Sequence, residues 1–251
     1  GYLIGPGVDL TGADLTGANL IGTTLTAVTS GSIVGAPTLP SGYQIIAGYL
    51  IGPGVDLTGA DLTGVDLTSA DLTGAILTGV TSGSTIGTPI LPSGTLLEGG
   101  YLIGPGVDLT GADLSGLDLT GADLTGVNLT SLDLSGGSLL GTPTLPSGYL
   151  ITDGYLIGPG VDLTGVDLTG VDLTGADLTS ADLTGATLTA VTSGSIVGIP
   201  TLPTGYQITD GYLIGPGVDL SGADLRYSSL TGADLTGADL SGANLRSTNL
   251  S

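Results

Sequence analysis

Cysteine, histidine, lysine, methionine, tryptophan and phenylalanine are all missing from this chain, and Glu98 is its single glutamate. Each absence removes a class of chemistry. Without Cys there are neither disulfides nor thiol nucleophiles, and Cys usage says nothing about redox compartment. Without His or Lys, no Ser-His, Cys-His or Lys-based nucleophile can be assembled, so Asp pairs are the only remaining acid and base. No apolar run approaches the roughly 18 residues that a membrane-spanning helix requires. The aromatic side chains are nine Tyr, so a core must be filled by Leu, Val, Ile and Ala in many small, similar layers.

Positive charge is nearly absent as well. Arg226 and Arg246 stand against 23 acidic residues, for a formal charge of −21. A phosphate backbone finds no cationic patch, which excludes nucleic acid as a partner and leaves divalent cations, basic protein surfaces or water and salt. A surface of Thr, Ser, Gly and Asp without Lys suits an extracellular or cell-surface protein. The sequence opens at Gly1 without a basic and apolar leader, so a signal peptide is expected to have been removed or to lie outside it. Strong acidity often marks disorder, but disordered acidic chains lack the recurrent Leu seen here.

What the chain has in abundance is repetition on two scales. The stretch GYLIGPGVDL recurs at Gly1, Gly48, Gly100, Gly154 and Gly211, dividing the sequence into units 1–47, 48–99, 100–153, 154–210 and 211–251. Within each unit Leu falls every fifth residue, as at Leu163, Leu168, Leu173, Leu178, Leu183 and Leu188. A period of five matches neither a helix nor a flat strand. It places every Leu inside only if the chain turns a corner once per five residues, and Gly after nearly every Thr supplies a residue that tolerates the corner.

Pentads such as ADLTG, ANLIG, VDLTG and ADLSG resemble the pentapeptide-repeat family over about 7–28, 54–80, 107–136, 161–191 and 218–251. The resemblance implies an all-β fold, a right-handed quadrilateral β-helix with four pentads per coil. Leu and the small residue two before it would point inward, as in Leu15 with Ala13, Leu62 with Ala60 and Leu235 with Ala233. Coils spaced by ~4.8 Å satisfy one another's backbone groups, and a single continuous solenoid over 1–251 would have roughly 11 coils and a length on the order of 50 Å.

The connectors depart from that pattern and hold all thirteen Pro and eight of the nine Tyr. In residues 191–217 the apolar Ile196, Leu202, Ile208 and Leu213 are spaced six, six and five apart. That spacing favours continued coils with enlarged sides. The rival reading is a β-hairpin over YQITDGYLI, because Asp210-Gly211 and Asp153-Gly154 suit a two-residue primed turn.

No catalytic residue emerges. Asp occupies one repeated outward position, where solubilising the surface or accepting a turn hydrogen bond is its ordinary role. GPGVDLTGADL has the glycines of a phosphate loop but no Lys and no following helix. With four pentads per coil, Asp residues twenty apart stack, giving Asp113 over Asp133, Asp162 over Asp182, and Asp219 over Asp239 as candidates for a cation-binding column. Ca²⁺ is the ion such oxygen ligands would take. Asp108 with Asn128 and Asp224 with Asn244 relieve the same repulsion without metal, and no cofactor is otherwise implied. Rows of Thr raise an ice-binding reading, which the adjacent charged columns oppose. The resemblance also brings the alternative of an acidic rod that imitates DNA and occupies a topoisomerase. The favoured expectation is a non-enzymatic, self-associating spacer, matrix element or filament, with solenoid ends that invite stacking and Arg226 and Arg246 either pairing with an acidic neighbour or protecting an edge.

Overall fold

A computed structural model describes residues 4–129, 132 and 139–250, and among these no residue is helical. The chain divides into two compact units, one comprising Gly1–Ala112, Asp118–Asn128 and Gly141–Pro146, the other Asp113–Leu117, Leu129–Leu140 and Ser147–Ser251. Both are built from the same coil.

The coil is clearest in the second unit. Asp162 pairs in parallel with Asp182, Asp167 with Thr187, Asp172 with Thr192 and Asp177 with Val197, so four successive sides each meet the chain twenty residues later. Each pairing exchanges backbone hydrogen bonds: Leu168 N donates to Thr187 O at 2.9 Å, and Thr187 N donates to Val166 O at 2.9 Å. Between sides the chain turns, with Val166 N donating to Leu163 O at 3.1 Å and Gly165 in the left-handed region at φ 70°. Positive φ at the third turn position is what a type II turn demands, and Gly meets it without a Cβ penalty. Most backbone polar groups of a pentad are thus paired between coils or across a corner, which explains how so short a side persists.

The interior follows from the pentad pattern. Leu163, Leu168, Leu173, Leu178 and Leu183 are fully buried, as are Ala176 and Ala181 two positions before a Leu. Leu62 with Ala60 and Leu15 with Ala13 are buried in the first unit. Leu235 and Ala233 keep partial exposure, because their coil is covered by the preceding one and no described residue lies on its other side. Burying one such Leu stabilises by about 1.5–3 kcal/mol relative to leaving it in water.

The connectors correct the sequence expectation of coils throughout. Their first half does continue the coil: Val34 pairs with Asp14 and Thr38 with Asn19, and in the second unit Val197 pairs with Asp177 and Thr201 with Asp182. The second half is a hairpin. Four antiparallel pairs form, β1 (Gln44–Ile46) with β2 (Tyr49–Ile51), β3 (Leu96–Glu98) with β4 (Tyr101–Ile103), β5 (Leu150–Thr152) with β6 (Tyr155–Ile157), and β7 (Gln207–Thr209) with β8 (Tyr212–Ile214). Their two-residue tips have positive φ at both positions, as at Asp210 (49°) and Gly211 (80°). That is the primed turn that matches strand twist, and it outweighs the approximate six-residue spacing of the apolar positions.

Each tip is docked on the coil. Ile33 N donates to Gly48 O at 2.9 Å, Thr85 N to Gly100 O at 3.0 Å, Leu139 N to Gly154 O at 2.6 Å and Ile196 N to Gly211 O at 2.9 Å. A Cβ on Gly211 would lie 2.9 Å from the Ser195 backbone, so contact as well as φ requires glycine there. The second strand of each hairpin delivers two apolar side chains to the core, with Leu50 and Ile51, Leu102 and Ile103, Leu156 and Ile157, and Leu213 and Ile214 all buried.

Candidate functional site

The repeated Asp is the one charged group abundant enough to define a site, and its geometry begins with the corner that follows it. Asp Oδ1 accepts a hydrogen bond from the backbone N–H two residues on, at 2.8 Å for Thr68 to Asp66, 2.9 Å for Thr174 to Asp172 and 2.9 Å for Thr236 to Asp234. That amide opens the turn and is one the coil does not pair. The Thr hydroxyl often adds a second bond, 2.6 Å for Thr120 to Asp118, Thr169 to Asp167 and Thr184 to Asp182. The Thr hydroxyl first, and its backbone N–H second, hold the carboxyls of Asp118, Asp167 and Asp182 below the ordinary Asp range. Hydrogen bonds to the charged form thus outweigh the loss of hydration. The Asp side chain is a strut of the turn, and Asn19 does the same work for Ile21 N at 3.0 Å.

Two of the three predicted stacked pairs are brought together. Asp162 and Asp182 are direct neighbours on adjacent coils, as are Asp219 and Asp239. Asp113 is exposed and caps Ser115 N at 3.0 Å, while Asp133 lies outside the described residues. Among the described residues no group of three or more carboxylates converges on a point that would hold a metal ion. Each stacked Asp also spends Oδ1 on its own corner, at 2.9 Å for Asp162, 2.9 Å for Asp182, 2.8 Å for Asp219 and 2.8 Å for Asp239. The amide substitutions fall where the spacing placed them, Asp108 beside Asn128 and Asp224 beside Asn244.

A second recurrent group was not anticipated from the sequence. At the base of three hairpins a Tyr hydroxyl donates to a Pro carbonyl ten residues later, Tyr43 to Pro53, Tyr149 to Pro159 and Tyr206 to Pro216, each at 2.8 Å. The ring lies over Gly52, Gly158 or Gly215, where any Cβ would overlap it. Burial, with a smaller contribution from Asp71, Asp177 or Asp234, raises the pKa of these phenols. In the remaining connector Thr95 takes the Tyr position and is buried against Gly104. The available signal was the joint recurrence of Gly-Tyr and Gly-Pro-Gly ten residues apart.

Arg226 and Arg246 occupy the corner position that Thr fills elsewhere. Arg226 grips Asp224 through both guanidinium arms, Nε to Oδ1 at 2.7 Å and Nη2 to Oδ2 at 2.6 Å, on a half-exposed surface. Tyr227 N donates to Arg246 O at 3.1 Å, so the two arginine corners are stacked. Tyr227 itself is 74% exposed and has φ 64°.

A four-sided coil closed by capped corners defines a right-handed quadrilateral β-helix. The family model for Pentapeptide repeats matches residues 6–29, 53–80, 106–139, 160–192 and 217–251, more than half of the chain, and the protein belongs to that family. Among curated proteins none matches the sequence. Among solved structures, the chain is similar to HetL, a pentapeptide repeat protein involved in heterocyst differentiation regulation from the cyanobacterium Nostoc sp. strain PCC 7120, at 26% identity over 97% of this chain and 85% of that one, with a TM-score of 0.19. It is also similar to two trypsin-treated forms of QnrB1, a plasmid-mediated fluoroquinolone resistance protein. Both are 14% identical with TM-scores of 0.21, covering 99% and 97% of this chain and 92% and 90% of theirs.

Proposed function

We propose that the protein is a non-enzymatic, self-associating structural element, a filament, matrix or spacer component of the extracellular space or cell surface. One observation carries the reading: the repeated Asp, the most plentiful candidate for chemistry, is engaged in closing its own corner. The chain therefore invests its charged side chains in a self-supporting backbone and a uniformly acidic surface. The composition supports the rest, since a Lys-free surface of Thr, Ser, Gly and Asp stays hydrated outside the cell and has no His, Cys or Lys to activate a nucleophile. Ca²⁺ is not required in this reading, because each corner is closed by its own Asp Oδ1 accepting from a backbone N–H.

The test is light scattering of the purified chain over a range of concentrations, with mass compared to the 24.2 kDa of one copy. Concentration-dependent growth in mass supports the reading. A monomer at every concentration, coupled to stoichiometric inhibition of a topoisomerase in a supercoiling assay, would replace it with the DNA-mimic alternative, which draws on the same acidic surface.

A further inference from the structure

All of the chain's basic side chains sit in one place. Arg226 and Arg246 are twenty residues apart, stacked at the same corner of adjacent coils by the Tyr227 N to Arg246 O hydrogen bond. The two backbone corners that carry them are therefore one coil pitch, ~4.8 Å, apart. Nothing in the corner itself calls for arginine, since other pentads turn with Thr at this position. Arg226 is held extended by Asp224 but stays half exposed. Arg246 belongs to the pentad ANLRS, where Asn244 caps the corner at 3.2 Å and supplies no carboxylate. Beside them Tyr227 projects into solvent from a left-handed corner. Other non-glycine residues found with positive φ are small or short, namely Ala, Ser and Asp, so a large aromatic there is not explained by local packing. Asp210, Asp224, Arg226, Tyr227 and Ser228 line a shallow cleft at this spot.

The same chain offers the complementary ladder. Among the described residues, Asp stacks directly on Asp at two places, Asp162 on Asp182 and Asp219 on Asp239. The other pairings set Asp against Thr, Val, Ile or Asn, or join Asn to Thr or Ser. Each stacked Asp uses Oδ1 at its own corner, and Oδ2 takes no part in that bond. Two carboxylates on adjacent coils match two arginines whose corners are one coil apart, and Arg pairs carboxylates with a geometry that Lys lacks.

We infer that the Arg226–Tyr227–Arg246 corner is a docking surface for a second copy of this chain, and that it engages a stacked Asp pair, Asp162–Asp182 or Asp219–Asp239, of that copy. The occupant is argued from charge: a chain of net −21 with its two cations in register meets its own doubled carboxylates in the same register. The Asp219–Asp239 side precedes the arginine corner by a full further side, so donor and acceptor face different directions from the coil. Such a contact is heterologous and does not close on itself, and it generates open arrays rather than a dimer. This inference rests on the self-associating reading and names the contact that would produce it.

Ionic strength supplies a signature. At low salt, repulsion between two strongly acidic copies opposes association. Near 0.15 M, where the Debye length is about 8 Å, long-range repulsion is screened while contact pairs persist, and at 1 M, with a Debye length of about 3 Å, the pairs weaken too. Sedimentation velocity of the full chain across this series should show association that peaks at intermediate salt. The R226T/R246T double variant restores the side chain other pentads carry at this corner, so its fold is retained, and circular dichroism checks it. It should remain monomeric throughout, with the association constant lowered at least tenfold. The quadruple variant D162N/D182N/D219N/D239N keeps every corner acceptor and should behave the same way. If wild type associates and either variant associates equally well, the docking surface is overturned while the structural reading stands. If wild type is monomeric at every salt concentration, both fall. Arginine-dependent binding of heparin by a wild type that never self-associates would assign the corner to anionic polysaccharide instead and also overturn the inference.

Discussion

A single aspartate carries two duties in this molecule, keeping the surface in water and closing the corner beside it. Replacing Asp172 by Asn preserves an acceptor for Thr174 N, whereas Ala leaves that amide to solvent. The D172N variant should match wild type in chemical denaturation, and D172A should lose about 0.5 kcal/mol, the low end for a hydrogen bond with access to water. The pH dependence has a definite sign. Carboxyls such as Asp172 and Asp182 titrate below their unfolded value because the Thr hydroxyl and then the Thr amide favour the charged form. The unfolded chain therefore binds more protons as pH falls past its carboxyl value of about 3.9. Stability from these groups is fully present above that pH and is lost on acidification through the lower folded values. Thermal melting should be nearly flat from neutral pH to about 5 and should decline below about 4. Tyr227 carries the opposite lesson: a bulky residue at φ 64° is strained, so Y227G should raise stability by about 1 kcal/mol.

At the scale of the element, the coil and the hairpin fail in different ways. Leu173 is fully buried, and L173A should cost 2–5 kcal/mol, roughly the range for a core Leu. Hairpin variants probe a local contact instead. G211A introduces a Cβ 2.9 Å from Ser195 backbone at φ 80° and should cost more than about 1 kcal/mol, while Y206F removes the bond to Pro216 O and should cost about 1 kcal/mol. Both are read from the midpoint of denaturant unfolding. The coil was legible in the sequence because its signal is local and repeated: Leu every fifth residue, a small residue two before it, and Gly at the corner. The connectors were harder because two signals competed there. Ile196, Leu202, Ile208 and Leu213 suggested continued sides, yet Asp210-Gly211 set a primed turn, and only three-dimensional docking of the tip on Ile196 shows which prevails. The Tyr206–Gly215–Pro216 closure was not read from the sequence, because its signal was only the joint recurrence of Gly-Tyr and Gly-Pro-Gly and not a local period.

For the molecule as a whole, repetition replaces a central site. The stacked Asp pairs were readable from the twenty-residue spacing, but their meaning was not. Spacing shows which carboxylates are neighbours, and only geometry shows that each already serves a corner. Each stacked Asp spends Oδ1 on its corner, so any cation held by such a column would be met through Oδ2 alone. In the structural role proposed above, function comes from what copies do together. Electron microscopy of the purified chain at near-physiological salt, once with Ca²⁺ and once with chelator, tests this account most directly. Multi-copy assemblies of the same form under both conditions are the predicted result. Isolated single copies in both, or assemblies that vanish on chelation, would contradict it: the first removes self-association, and the second returns the Asp columns to metal binding.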